Sequence, residues 1–265
     1  RGVQMLGKLI KYEFKSLVHD LGVLYLVWMS LTVLVSILSK GIFSIPELIE
    51  TVLIASWTIS FIAALVMTIV VIIDRRFYKN FYGAEGYFTL SLPIKTSTHI
   101  WSKVITVTIW MLLVLLFGFV VMMIMTLTKD SLGIYQQIKI FINEQPAQAR
   151  KLILFFLEFV ILGIIYISRF VLKLLTCINI SVQFSRFKTL LQGVFFILFT
   201  AVEIYATMLL IGNLSGKFAL NVTMYENKIR IVEYGMVILI LMQAVEFAIY
   251  FLTSNYLMKN RLNLE

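Results

Sequence analysis

Six long apolar stretches constrain this chain more than any other feature. Leu21–Ser39, Thr51–Ile73 and Val104–Thr128 contain no Asp, Glu, Lys or Arg. Leu152–Ser168, Thr189–Gly216 and Tyr234–Met258 contain one glutamate each. A helix crosses the hydrocarbon core of a bilayer with about 20 predominantly apolar residues, and each stretch is of that order. The expected fold class is therefore all-α: a polytopic membrane protein with six transmembrane helices, at about 21–39, 51–73, 104–128, 152–175, 189–212 and 234–256. Composition agrees. Of 265 residues, 60% are hydrophobic and 14% charged, against about 25% charged in soluble domains. The sequence between the spans is too short and too scattered for a second domain. Residues 5–265 are expected to form one transmembrane domain, with residues 1–4 a remnant ahead of Met5, where the patterned sequence begins.

Composition also excludes several chemistries. The chain has two histidines, His19 and His99, and one cysteine, Cys177. Structural zinc and iron–sulfur centres need three or four such ligands converging, and no HExxH occurs. No catalytic group and no metal site is expected. The net charge of +9 is explained by membrane topology rather than by nucleic acid, because cytoplasmic loops collect Lys and Arg. With the N-terminus inside, the inner segments hold Lys8, Lys11 and Lys15; Arg75, Arg76, Lys79, Lys95 and Lys103; Arg169, Lys173, Arg186 and Lys188; and Lys259 and Arg261. Counting Arg1, that is close to twice the number in the outer segments. Both termini are expected in the cytoplasm. The first apolar run is as long as a full span and no small-residue cleavage site follows it, so no cleavable signal is read there.

Between the spans, three segments stand out. Met5–Asp20 reads as an amphipathic, interfacial helix: Leu6, Ile10, Phe14, Leu17 and Leu21 recur at helical spacing, with Lys8, Lys11 and Lys15 forming a second stripe. A basic stripe opposite an apolar one suits the membrane interface. Ser56, Ser60 and Ala64 place small residues at i, i+4 and i+8 of span two, where helix backbones can approach closely within the subunit or at a dimer seam. Arg75–Lys103 is far longer than a turn needs. It runs from a basic start through Gly83 and Gly86 to the short apolar Tyr87–Leu92 and Pro93. It is read as a docking element for another protein or as a loop anchored to lipid by its aromatics. The outer segment Lys129–Lys151 reads as a polar loop, and the long run Thr189–Gly216 is expected to turn back near its outer end.

Three helices carry polar stripes inside the membrane. Gln243, Glu246, Tyr250 and Ser254 share a face of span six, Thr200, Glu203 and Thr207 a face of span five, and Glu158, Tyr166, Arg169 and Lys173 a face of span four. Intramembrane charges face a bundle interior or a wet cavity. Two readings stand: interhelical bonding with the carboxyls neutral or paired, or the lining of a translocation path formed by Gln243, Glu246, Tyr250, Glu203, Thr207 and Glu158. Arg169 and Lys173, near the inner end of span four, are read as snorkelling to the interface.

The chain resembles the type-two ABC exporter permeases, the membrane subunits of bacterial ATP-binding-cassette exporters. Leu9-Ile-Lys-Tyr-Glu-Phe-Lys15 is similar to that family's connecting helix, in which Lys8, Lys11, Phe14 and Lys15 mark the interfacial face. Gly83-Ala-Glu-Gly-Tyr-Phe-Thr-Leu-Ser-Leu-Pro93, followed by Ser102-Lys103, is similar to its cytoplasmic loop after span two. The resemblance implies a coupling helix between spans two and three that contacts the ATPase through Tyr82, Glu85, Tyr87, Phe88, Leu90 and Leu92. It implies no enzyme activity and no cofactor in this chain, with ATP and Mg bound by two copies of a separate ATPase subunit. It further implies a second permease copy, surrounding lipid, no nucleic acid, and a bacterial plasma membrane. Small six-span members look most like exporters of antimicrobial or cytolytic peptides, the phenol-soluble-modulin exporters included. Multidrug or lipid export is the close alternative, and a non-transporting scaffold or immunity protein the distant one.

Overall fold

The structure is a computed structural model that describes residues 2–39, 46–72, 77, 95–126, 131–184, 186–218 and 225–260. Among the described residues it is all-helical, with seven helices: α1 Gly2–Ser39, α2 Glu47–Val71, α3 Thr96–Thr126, α4 Ser131–Glu144, α5 Pro146–Ser181, α6 Lys188–Phe218 and α7 Tyr225–Asn260. All but the 14-residue α4 are long and apolar enough to cross a membrane. This is a multi-pass membrane protein.

The helices run beyond the apolar stretches, for local reasons. Met5–Asp20 and span one form a single 38-residue helix, since neither proline nor a run of glycines separates them. The segment expected as the polar loop 129–151 contains α4 instead. In its sequence Ile134, Ile138, Phe141 and Ile142 recur at helical spacing, and Pro146 opens α5, where its missing N–H costs nothing. The long run from Thr189 does not turn back; α6 continues to Phe218 as one helix. The candidate coupling residues Tyr82, Glu85, Tyr87, Phe88, Leu90 and Leu92 lie outside the described residues.

The chain divides into two compact units. The first comprises Arg1–Phe81 and Trp101–Arg150, the second Tyr82–Ile100 and Lys151–Glu265. The first unit is built on aromatic packing. Trp28 of α1 stacks on Trp57 and Phe61 of α2, with ring centroids 5.8 and 4.9 Å apart, and meets Phe117 of α3 edge-on at 5.4 Å. Trp110 of α3 receives the ring edges of Phe14 and Tyr25 of α1. These pairings set α1 antiparallel to α2 and parallel to α3. Hydroxyls tie the same seam. Thr68 donates to the Ala64 carbonyl, so its oxygen is left to accept from Tyr25 Oη at 2.5 Å. Thr32 Oγ1 accepts from Trp57 Nε1 at 2.9 Å in the same way. Of the small residues in span two, Ala64 is buried inside this unit and Ser56 is exposed. A close contact lies elsewhere in the unit: a Cβ at Gly118 of α3 would lie 2.9 Å from the Phe61 ring. The amphipathic expectation holds along α1. Leu17 and Leu21 are buried, and Lys8, Lys11 and Lys15 are exposed.

A buried charge cluster as the candidate functional site

In the second unit, three helices bring four charges together. Arg169 and Lys173 are one turn apart on α5, so both point to the same side. Glu203 sits on α6, and Glu246 and Tyr250 are one turn apart on α7. Arg169 Nη1 donates to Glu246 and lies 3.2 Å from Glu203 Oε2. Lys173 Nζ donates to Glu203 Oε2 at 2.8 Å and to Thr200 Oγ1 at 3.2 Å. Tyr250 Oη donates to Glu203 Oε1 at 2.5 Å. Glu203 is therefore the hub, with both carboxylate oxygens occupied. Rings complete the surroundings: the Arg169 guanidinium lies 5.0 Å from the Tyr166 centroid, and the Lys173 ammonium 4.8 Å from that of Phe196.

Two cations against two carboxylates leave the cluster neutral, which is what its location requires. Arg169 is 4% and Lys173 3% exposed. At 1.5 Å per residue, Glu203 lies about 22 Å along α6 from Lys188, and Glu246 about 21 Å along α7 from Asn260. Both carboxylates therefore sit near the middle of their helices. The snorkelling expectation for Arg169 and Lys173 is thereby corrected: both are buried partners of mid-helix carboxylates. An unpaired charge at such a site costs several kcal/mol, whereas a paired and hydrogen-bonded one is tolerated.

Further polar groups extend the cluster along the helices. Thr176 Oγ1 and Ser254 Oγ bond at 2.9 Å, tying α5 to α7. Thr207 donates to the Glu203 carbonyl at 2.7 Å, and its oxygen lies 3.9 Å from Met242 Sδ. These pairings set α5 parallel to α7 and antiparallel to α6. Near the C-terminal end of α7, Asn255 accepts from Thr96, the first residue of α3, at 2.9 Å.

The six residues expected to line a path thus divide. Glu203, Glu246 and Tyr250 converge and are bonded within the cluster. Thr207 caps it one turn along α6. Glu158 and Gln243 stand apart: Glu158 Oε2 and Gln243 Oε1 are buried without a hydrogen-bond partner among the described residues. Sequence reasoning missed Arg169 and Lys173 as partners, although their shared face and the balance of two cations against two span glutamates were available. Lys103, counted with the inner-loop cations, is also buried; it donates to Glu13 at 2.9 Å in the first unit. Among the described residues, no three His, Cys, Asp or Glu side chains gather to hold a metal ion. No known family model, no curated protein and no solved structure matches this chain.

Proposed function

We propose that this chain is the membrane subunit of an ATP-binding-cassette exporter, working as a dimer with two separate ATPase subunits that bind ATP and Mg. The observation that carries this reading is the stretch Gly83–Pro93, set between two membrane helices and resembling a coupling loop. In this reading Glu85 pairs with a basic residue of the ATPase, and Tyr82, Tyr87, Phe88, Leu90 and Leu92 fill a groove in it, as aromatic anchors do at interfaces. Closure of the ATPases on ATP then displaces the segment leading into α3. Its first residue, Thr96, is bonded to Asn255, so the displacement reaches α7 directly.

The charge cluster gives that displacement a body to act on. Arg169, Lys173, Glu203 and Glu246 tie α5, α6 and α7 together, and their neutrality lets the three helices move through the membrane without exposing net charge. In this reading the buried oxygens of Glu158 and Gln243, which the cluster leaves unpartnered among the described residues, become accessible to an amphipathic substrate, most simply a peptide, when the helices move. The chain itself is not the enzyme; hydrolysis belongs to the complex.

Purification from native membranes tests this reading. A stoichiometric ATPase should accompany the chain. Tyr87→Ala with Phe88→Ala should release that ATPase, or uncouple hydrolysis from export, with insertion unchanged. Absence of any ATPase from gently solubilised material would sink the proposal.

A further inference from the structure

The first half of α1 has two unlike faces. Leu17 is fully buried, Phe14 packs on Trp110, and Glu13 accepts from the buried Lys103 at 2.9 Å. The opposite face carries Lys8, Lys11 and Lys15, all exposed, with Tyr12 68% exposed among them. Glu13 is the only acid within this stretch of lysines. Since it is committed to Lys103, the three ammonium groups have no counter-charge on their own face of α1 among the described residues. Lys8 and Lys11 are separated by i, i+3, and Lys11 and Lys15 by i, i+4. Like charges at those spacings oppose the helix they sit on, and an anion lying along the stripe removes that repulsion.

Helix length says where the stripe sits. At 1.5 Å per residue the 38 residues of α1 extend about 57 Å, nearly twice the roughly 30 Å hydrocarbon core. The uncharged part begins at Leu21, which places Lys15 about 9 Å and Lys8 about 20 Å beyond it along the axis. That interval covers the headgroup layer and the field of an anionic surface, which decays over about 8–10 Å at physiological salt. An exposed tyrosine between the lysines belongs at the same level, with its ring among headgroups and its hydroxyl in water.

We propose that the Lys8, Lys11 and Lys15 face of α1 is a recognition surface for anionic phospholipid headgroups, with the lipid phosphate as ligand and Tyr12 as its interfacial anchor. The assignment needs only the membrane location of α1 and is independent of the transport reading.

The test compares phosphatidylglycerol with phosphatidylcholine binding to the purified full chain in detergent, by lipid titration with native mass spectrometry. Wild type should prefer phosphatidylglycerol, and the preference should fall as salt rises. Lys8→Gln, Lys11→Gln and Lys15→Gln should each weaken it, on the order of fivefold per lysine close to the surface. The triple Gln variant should lose at least tenfold, while the triple Arg variant retains it. Helix content and melting temperature of the variants separate loss of lipid from loss of fold; if the triple variant does not fold, the single variants carry the result. Three outcomes would overturn the proposal. The triple Gln variant could keep its preference. Millimolar inorganic phosphate could displace the lipid completely, marking a small-anion site. The lysines could prove necessary only for binding an acidic protein, with lipid preference untouched.

Discussion

The two units solve one problem with different materials. Each sets its first and third membrane helices parallel and runs the second against them. The first unit holds this arrangement with rings: Trp28 packs on Trp57, Phe61 and Phe117, Trp110 packs on Phe14 and Tyr25, and Glu13–Lys103 adds an ion pair. The second holds it with Arg169, Lys173, Glu203 and Glu246 at the centre. Lipid tails are as apolar as the helices, so the hydrophobic effect does not drive helices together within a membrane. What remains is close packing and polar bonding, and the units divide these between them. Packing tolerates substitutions that conserve shape and volume. A charge network tolerates neither partner's removal, because the survivor stays buried.

That contrast can be broken deliberately. The largest effect is expected at Glu203→Leu, which deprives Lys173 and Tyr250 of their carboxylate and leaves Arg169 with Glu246 alone. Removing one partner from a buried pair costs about 3–5 kcal/mol, so unfolding in mild detergent should shift by that amount, with the change centred on α5–α7. Trp28→Ala in the first unit loses packing of about 3–5 kcal/mol at most. Trp28→Phe should recover much of that loss, whereas Glu203→Gln should recover little, because Lys173 stays uncompensated and Arg169 keeps Glu246 alone. Equal recovery by both conservative variants would erase the distinction between the units. Gly118→Val comes next. Its side chain meets the Phe61 ring, and overpacking of this kind costs about 1–3 kcal/mol; combining it with Phe61→Ala should relieve the clash. Unrelieved destabilisation in that pair would place the strain elsewhere. The smallest effect lies at Phe187, just before α6. Its φ of 58° is left-handed, and its side chain is exposed. Phe187→Gly should raise stability by about 1 kcal/mol, since glycine adopts this region freely. Any loss would mean that the ring anchors there.

What could be read in the sequence followed from one-dimensional pattern. Six apolar stretches became six membrane-length helices, and Phe14, Leu17 and Leu21 of the α1 stripe lie on its packed face. The cluster was harder to read because neutrality is a property of several helices at once. Arg169 lies 77 residues from Glu246, and Lys173 lies 30 from Glu203. Read along its own helix, each cation looks like the end of a span. Read across α5, α6 and α7, the same residues are its middle. The loop 129–151 misled for a related reason. Its polarity reads as loop, although the isoleucine spacing of α4 is helical.

The central claim is that the buried charges of the second unit are bonded to one another. A double-mutant cycle on Arg169 and Glu246 addresses it most directly. Arg169→Gln, Glu246→Gln and the double variant would be unfolded under identical conditions, beside the exchanged pair Arg169→Glu with Glu246→Arg. Direct pairing predicts that each single variant is destabilised, that the double variant is milder than the sum of the two by on the order of 2 kcal/mol, and that the exchanged pair regains part of the loss. Additive single effects, with no recovery in the exchanged pair, would contradict the account and return Glu246 to an unpaired role in the membrane.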